Sequence, residues 1–173
     1  MNRRSAVKNF LLASGGLITI PIWMQSCGIS DQKTHQSSFS SDEQGLLAAI
    51  TDTIIPAGNS IGALSVGVDK FLQKIIDDCY EKPVQDNVKK QLQALQASAK
   101  NHFEKSFAGC SQQQRQEMLL KFQGSQSKDE KDFFELMKTE TIRGFNTSQK
   151  VMEEYLHYKV APGHYYGCIN VKA

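Results

Sequence analysis

The chain has 173 residues, 20 of them Lys or Arg and 18 Asp or Glu, with four cysteines, four histidines and 40% apolar side chains. That is enough for one domain with a modest core. The near-neutral balance, with no basic patch, argues against nucleic acid as a partner.

The first 27 residues read as an export signal. Asn2-Arg3-Arg4-Ser5-Ala6-Val7-Lys8 is a short cationic head, and Phe10 to Trp23 is a mostly apolar run broken by Ser14-Gly15-Gly16. The Arg3-Arg4 pair before a weakly hydrophobic, glycine-containing core distinguishes the twin-arginine type from the more apolar Sec type. Fourteen residues at ~1.5 Å each fall short of a ~30 Å hydrocarbon core, so a spanning helix is not expected. Ser26-Cys27-Gly28 is a loose lipoprotein box with Cys27 as the residue that would be acylated; ordinary cleavage near the same place, or none, is the alternative. The expected location is therefore the periplasm, with a lipidated Cys27 as membrane anchor on the first of these readings. Removing this leader takes away Arg3, Arg4 and Lys8 and no acid, which leaves a slightly acidic remainder.

Residues 28–40, polar from Ser30 onward apart from Phe39, read as a flexible tether. A helical domain is expected over 41–173. Ser41-Asp42-Glu43-Gln44 has the capping-box pattern, with Ser41 as cap and Gln44 reaching back. Leu46, Leu47, Ile50 and Ile54 share one face, and Pro56 stops the helix. The connector Ala57 to Ala63 holds Gly58, Asn59 and Gly62, residues that tolerate positive φ. Val68, Phe71, Leu72, Ile75, Ile76 and Cys79 then form a wide apolar stripe, which places Cys79 on a core face, buried or bridged.

Pro83 suits the start of a long helix toward Phe107 with only a narrow stripe of Val88, Leu92, Leu95, Ala99 and Phe103. Ser111 opens a short helix bearing Met118, Leu119 and Phe122, closed by Gly124. Ser127-Lys128-Asp129-Glu130 repeats the capping-box pattern ahead of Phe133, Phe134, Met137, Thr141 and Ile142, with Gly144 at the end. Thr147 or Ser148 caps a last helix with Val151, Tyr155 and Tyr158, and an irregular aromatic tail follows. No stretch alternates with period two, so the fold class is all-α: one compact helical domain of five or six helices.

Motifs for chemistry are missing. There is no Gly-x-Gly-x-x-Gly, Walker loop or Cys-x-x-Cys-His. His35, His102, His157 and His164 lack metal-ligand spacing, and His157 and His164 would meet only if the tail folded back. Adjacent acids such as Asp77-Asp78 splay around a helix instead of converging. No serine or cysteine shows a readable base and orienter. Cys79, Cys110 and Cys168 allow three single pairings, or none. What stands out is aromatic: Phe39, Tyr155, Tyr158, Tyr165, Tyr166 and the Pro56 to Ala63 connector lie outside the main stripes. Tyrosines concentrate at partner surfaces, although the tail could equally close over this protein's own core.

Several segments together resemble one family. Asp52-Thr53-Ile54-Ile55-Pro56-Ala57 with Gly62-Ala63, a helix ending Asp77-Asp78-Cys79-Tyr80, then Thr141-Ile142-Arg143-Gly144-Phe145 and Pro162-Gly163-His164-Tyr165-Tyr166-Gly167-Cys168-Ile169 look like the gluconate 2-dehydrogenase subunit 3 family. The likeness spans most of Phe39 to Ile169; Phe145 and Asn146 stand where the family often has Tyr-Phe, and Ala161 where a valine is common. The resemblance implies a non-catalytic small subunit with no cofactor of its own. Its implied partner is a large flavoprotein dehydrogenase of the glucose-methanol-choline type, which holds FAD and passes electrons to a cytochrome c subunit or another carrier. The small subunit carries that partner through the twin-arginine translocase. The resemblance also implies a Cys79–Cys168 disulfide. The aromatic tail and the connector make Pro56, Gly62, Ala63, Tyr155, Tyr158, Pro162, Gly163, Tyr165 and Tyr166 the expected partner interface. From another class, the residues also fit a free-standing lipid-anchored periplasmic module that binds a sugar or cell-wall ligand.

Overall fold

The computed structural model describes residues 37–161 together with Gly163 and Cys168; Arg3, Arg4 and Cys27 lie outside the described residues. The order is α1 (Ser41–Ile54), a 3-10 turn (Ala63–Val66), α2 (Val68–Cys79), α3 (Lys82–Phe103), a 3-10 turn (Phe107–Gly109), α4 (Gln112–Gly124), α5 (Lys128–Asn146) and a π-helical turn (Val151–Tyr155). Among the described residues there is no strand, so the all-α expectation holds.

Helix α1 is the axis of the bundle and packs against each of the other four helices. Its composition explains this: Leu46, Leu47, Ala49, Ile50, Thr51 and Thr53 are all buried, which is most of the helix's girth. The two threonines fit because each hydroxyl donates back to its own helix, Thr51 to the Ala48 carbonyl at 2.8 Å and Thr53 to the Ala49 carbonyl at 2.6 Å. Around it α2 contributes Val68, Leu72 and Ile76, α3 contributes Val88, Leu92, Leu95 and Ala99, and α5 contributes Phe133 and Met137. Phe122 of α4 meets Phe133 of α5 with ring centroids 5.6 Å apart and tilted, a favourable aromatic geometry.

Several local expectations are corrected. The cap of α1 is Ser40, not Ser41. With Ser40 in that place the third helical residue is Glu43, whose carboxylate accepts from the Ser40 amide at 2.9 Å, an anion at the positive end of the helix. Gln44 is then free to donate to the Phe39 carbonyl at 2.8 Å. Phe39 is 3% exposed and belongs to the core, so the tether does not extend to residue 40. Helix α3 ends at Phe103 because Glu104 turns left-handed at φ 53°, and this carries Phe107 separately into the core. Ser127 caps α5 by position but makes no side-chain bond to its free amides.

Glycines serve packing more than turning. Gly62 has φ −97°, and a Cβ there would stand 2.5 Å from the Ala57 nitrogen, so the residue is required by close backbone approach and not by a positive φ. Gly144 lies inside α5, which runs two residues further than expected. A Cβ on it would meet the Phe71 ring at 2.5 Å, so its absence lets α2 and α5 close on each other. Ser148 does precede a last short helical segment over 149–155, whose Met152 amide donates to the Ser148 carbonyl at 3.0 Å, but neither side chain caps it: the Thr147 and Ser148 hydroxyls donate backwards to the Arg143 and Phe145 carbonyls and finish α5. The segment after them forms a π turn closed by the Leu156 amide on the Val151 carbonyl.

Candidate interaction site at the connector and C-terminal turn

Two polar clusters and one grooved surface set this protein's local chemistry. The first cluster joins the end of α2 to α5. Tyr80 donates its hydroxyl to Glu140 Oε1 at 2.9 Å, and Arg143 donates from the other side at 3.2 Å. Glu140 is 3% exposed, and a carboxylate so deep in the protein persists only when paired and hydrogen-bonded. Burial, and then the bond to Glu140, push the Tyr80 phenol above its ordinary pKa, with Arg143 partly opposing. The carboxylate thus ties the end of α2 to α5.

The second cluster holds the end of α1, where the connector begins. Gln112 donates to the Thr53 carbonyl at 3.1 Å, and Arg115 reaches the Asp52 carboxylate at 2.8 Å and Gln112 Oε1 at 2.7 Å. The last carbonyls of a helix have no intrahelical partner, and here a glutamine from α4 supplies one. Asp52 and Arg115 are both mostly buried, which makes their pairing stronger than a surface ion pair.

The groove lies where the connector's 3-10 turn meets the chain after α5. One part, about 710 Å³, is lined by residues including Thr147, Met152, His157, Tyr158 and Val160. A neighbouring part of about 520 Å³ has Ser65 and Val66 on one side and Ser148 to Glu154 on the other; both parts share Gln149 and Glu153. The π turn and the His157 left-handed backbone at φ 50° turn the chain outward here. Tyr155, Leu156 and Tyr158 are consequently each more than half exposed, and Val160 almost entirely so. Exposed aromatic and aliphatic groups beside a groove are what a partner's side chains can fill.

The expected interface residues are only partly brought together. Tyr155 and Tyr158 are at this surface, and Pro56 and Gly163 are exposed, Gly163 with φ 80°. Gly62 and Ala63 are buried: Ala63 is 0% exposed and packs into the protein's own core, so neither offers surface to a partner. Pro162, Tyr165 and Tyr166 lie outside the described residues. The structure keeps Cys79 and Cys168 as free, exposed thiols and not as a pair, and Cys110 as a buried one. Cys79 is exposed because it ends α2 beyond Ile76, where the core face of the helix stops.

Sequence reasoning missed both polar clusters, although one carried a signal. Glu140 falls seven residues after Phe133 and three after Met137, so it is an acid on an otherwise apolar stripe. Asp52 gave no such signal, because its partners sit about 60 residues away on α4.

This architecture defines an all-helical scaffold with polar clamps inside and an aromatic-edged groove at one end. The family model for gluconate 2-dehydrogenase subunit 3 matches residues 41–163, and the chain belongs to that family. The match takes in both clamps and the groove through Ala161. No curated protein and no solved structure matches the chain. As a subunit family of a dehydrogenase complex, it implies a dehydrogenase partner.

Proposed function

We propose that this chain is the non-catalytic small subunit of an FAD-dependent sugar or polyol dehydrogenase. It binds a large glucose-methanol-choline-type flavoprotein, supports that subunit's folding and carries it through the twin-arginine translocase into the periplasm. FAD resides in the large subunit, electrons leave through a cytochrome c or similar carrier, and an acylated Cys27 holds the assembly at the membrane.

The observation that carries this reading is the surface around Tyr155, Leu156, Tyr158 and Val160, four exposed apolar side chains beside the groove and within the span matched to a dehydrogenase subunit family. Co-production of this chain with the large flavoprotein tests it. The folded, FAD-loaded enzyme is expected in the periplasm with the intact leader and in the cytoplasm when Arg3-Arg4 are changed to Lys-Lys. An active flavoprotein that reaches the periplasm regardless of that change overturns the export role. Tyr155→Ala with Tyr158→Ala is expected to weaken co-purification of the two subunits at least about tenfold, as loss of aromatic anchors does.

One observation favours the second reading, a sugar-binding module. The 710 Å³ pocket is within the size range of small-ligand sites. Sugar titration of the chain alone, followed by calorimetry, separates the two.

A further inference from the structure

We propose that Ser37–Ser40 is a strap that latches the start of the folded unit onto the corner between α2 and α3. Ser38 is thereby held at the end of α2 remote from the groove. This does not rest on the identity of the dehydrogenase partner.

The residues before α1 read as linker, yet each main-chain polar group of Ser38 and Phe39 is engaged. The Ser38 amide donates to Asp77 at 2.9 Å, and its hydroxyl donates to the same carboxylate. Its carbonyl accepts from Lys89 Nζ at 2.9 Å. The Phe39 amide donates to Ser37 Oγ, and its carbonyl accepts from Gln44. A solvated linker would leave these groups to water. The Phe39 side chain is in the core, and Lys89 Nζ stands 5.3 Å above its ring, a cation–π distance. The strap thus touches two helices, with its charged partners Asp77 on α2 and Lys89 on α3.

That corner is itself fixed, since Gln85 donates to the Asp77 carbonyl at 3.1 Å and the Tyr80 carbonyl at 2.9 Å. Asp77 lies nine residues along α2 from Val68, roughly 14 Å at the rise of an α-helix. Val66, just before Val68, borders the groove. Strap and groove are therefore at opposite ends of α2.

Hydrogen–deuterium exchange of the full-length chain tests the latch. Amides at 38–40 are expected to exchange at least about tenfold slower than in an unstructured peptide, as locally closed backbone does. Exchange there at the free-peptide rate overturns the proposal. Phe39→Ala should release the strap but also opens a core cavity. Lys89→Met, which keeps Phe39, is therefore the second variant, expected to speed exchange at 38–40 several-fold and to leave α4 and α5 unchanged. No change at 38–40 with Lys89→Met overturns the role of the Lys89 contact. For the separation of strap and groove, ubiquitin is fused directly before Ser37 in place of residues 1–36. Exchange at 63–66 and 147–160 should match the parent, and altered exchange there would refute the separation of the two ends.

Discussion

Gly62→Ala isolates the close backbone approach that folds the connector. The backbone at Gly62 has φ −97°, which alanine adopts freely, so on conformational entropy alone the substitution would stabilise by about 0.4–1 kcal/mol. The collision opposes this. The new Cβ would stand 2.5 Å from the Ala57 nitrogen, 2.8 Å from its Cα and 2.9 Å from the Pro56 carbonyl carbon, and backbone cannot swing aside as a side-chain tip can. Overpacking of this kind costs about 1–3 kcal/mol. Opening the connector also stretches the bond from the Ala63 amide to the Ile55 carbonyl, now 3.0 Å, a loss of about 1 kcal/mol. The net expectation is a destabilisation of about 1–3 kcal/mol, which at ~2–4 °C per kcal/mol is a Tm lower by roughly 2–12 °C. Thermal unfolding followed by circular dichroism reads this directly. Gly58→Ala is the control, since nothing lies within 4 Å of its added Cβ, and its Tm should hold or rise slightly. A Gly62→Ala protein melting at or above the parent would refute the packing argument.

Two further perturbations address the clamps. The folded-state pKa of Tyr80 is raised, so the tyrosine's contribution is fully present below its unfolded pKa near 10 and is lost as pH rises through the higher folded value. Chemical denaturation across pH 8–11.5 should therefore show an alkaline loss of stability that is smaller in Tyr80→Phe, and that variant should be about 1 kcal/mol less stable at neutral pH for its lost bond to Glu140. Arg115→Met leaves the mostly buried Asp52 carboxylate unpaired and frees Gln112, and is expected to cost about 1–3 kcal/mol in urea denaturation; an unchanged midpoint would show that the pair contributes nothing net.

Much of the fold was legible because the signals were local. The stripe of α2, the narrow stripe of α3 and the Ser111 cap each lie within a single helix, and periodicity and cap patterns report such local features directly. Expectations slipped where two local solutions compete or where distant chain decides. Ser40 and Ser41 are adjacent and both able to cap; the choice falls to Ser40 because that register brings Glu43 into the box. Phe39 looked like linker because what surrounds it comes from distant chain, Lys89 of α3 over its ring and Asp77 of α2 bonded to the preceding Ser38. Glycine was the most misleading residue, since Gly62 and Gly144 look like turn and terminus by type, while their neighbours Ala57 and Phe71 require only the missing Cβ. Of the expected surface, Tyr155 and Tyr158 emerged from composition, whereas Ala63 did not belong to it, because a small apolar residue in a connector says nothing about which way that connector folds.

The buried polar groups gain their meaning from what they hold in place. Gln112 and Arg115 grip the last turn of α1, from which the connector runs to the Ser65–Val66 side of the groove. Tyr80 and Glu140 tie down α5, with Arg143 pairing Glu140 one turn before Thr147, where the other side begins. Both walls are thus pinned by hydrogen-bonded groups instead of by apolar contact alone. Apolar replacements of similar volume could match them in stability, because desolvation offsets much of a buried ion pair's attraction. Directional bonds add a fixed relative position, and a surface whose walls are already placed loses less freedom on binding. On the proposed function, that favours a scaffold whose groove is formed before the partner arrives, with the exposed tyrosines at its edge as the contact that Tyr155→Ala with Tyr158→Ala would remove.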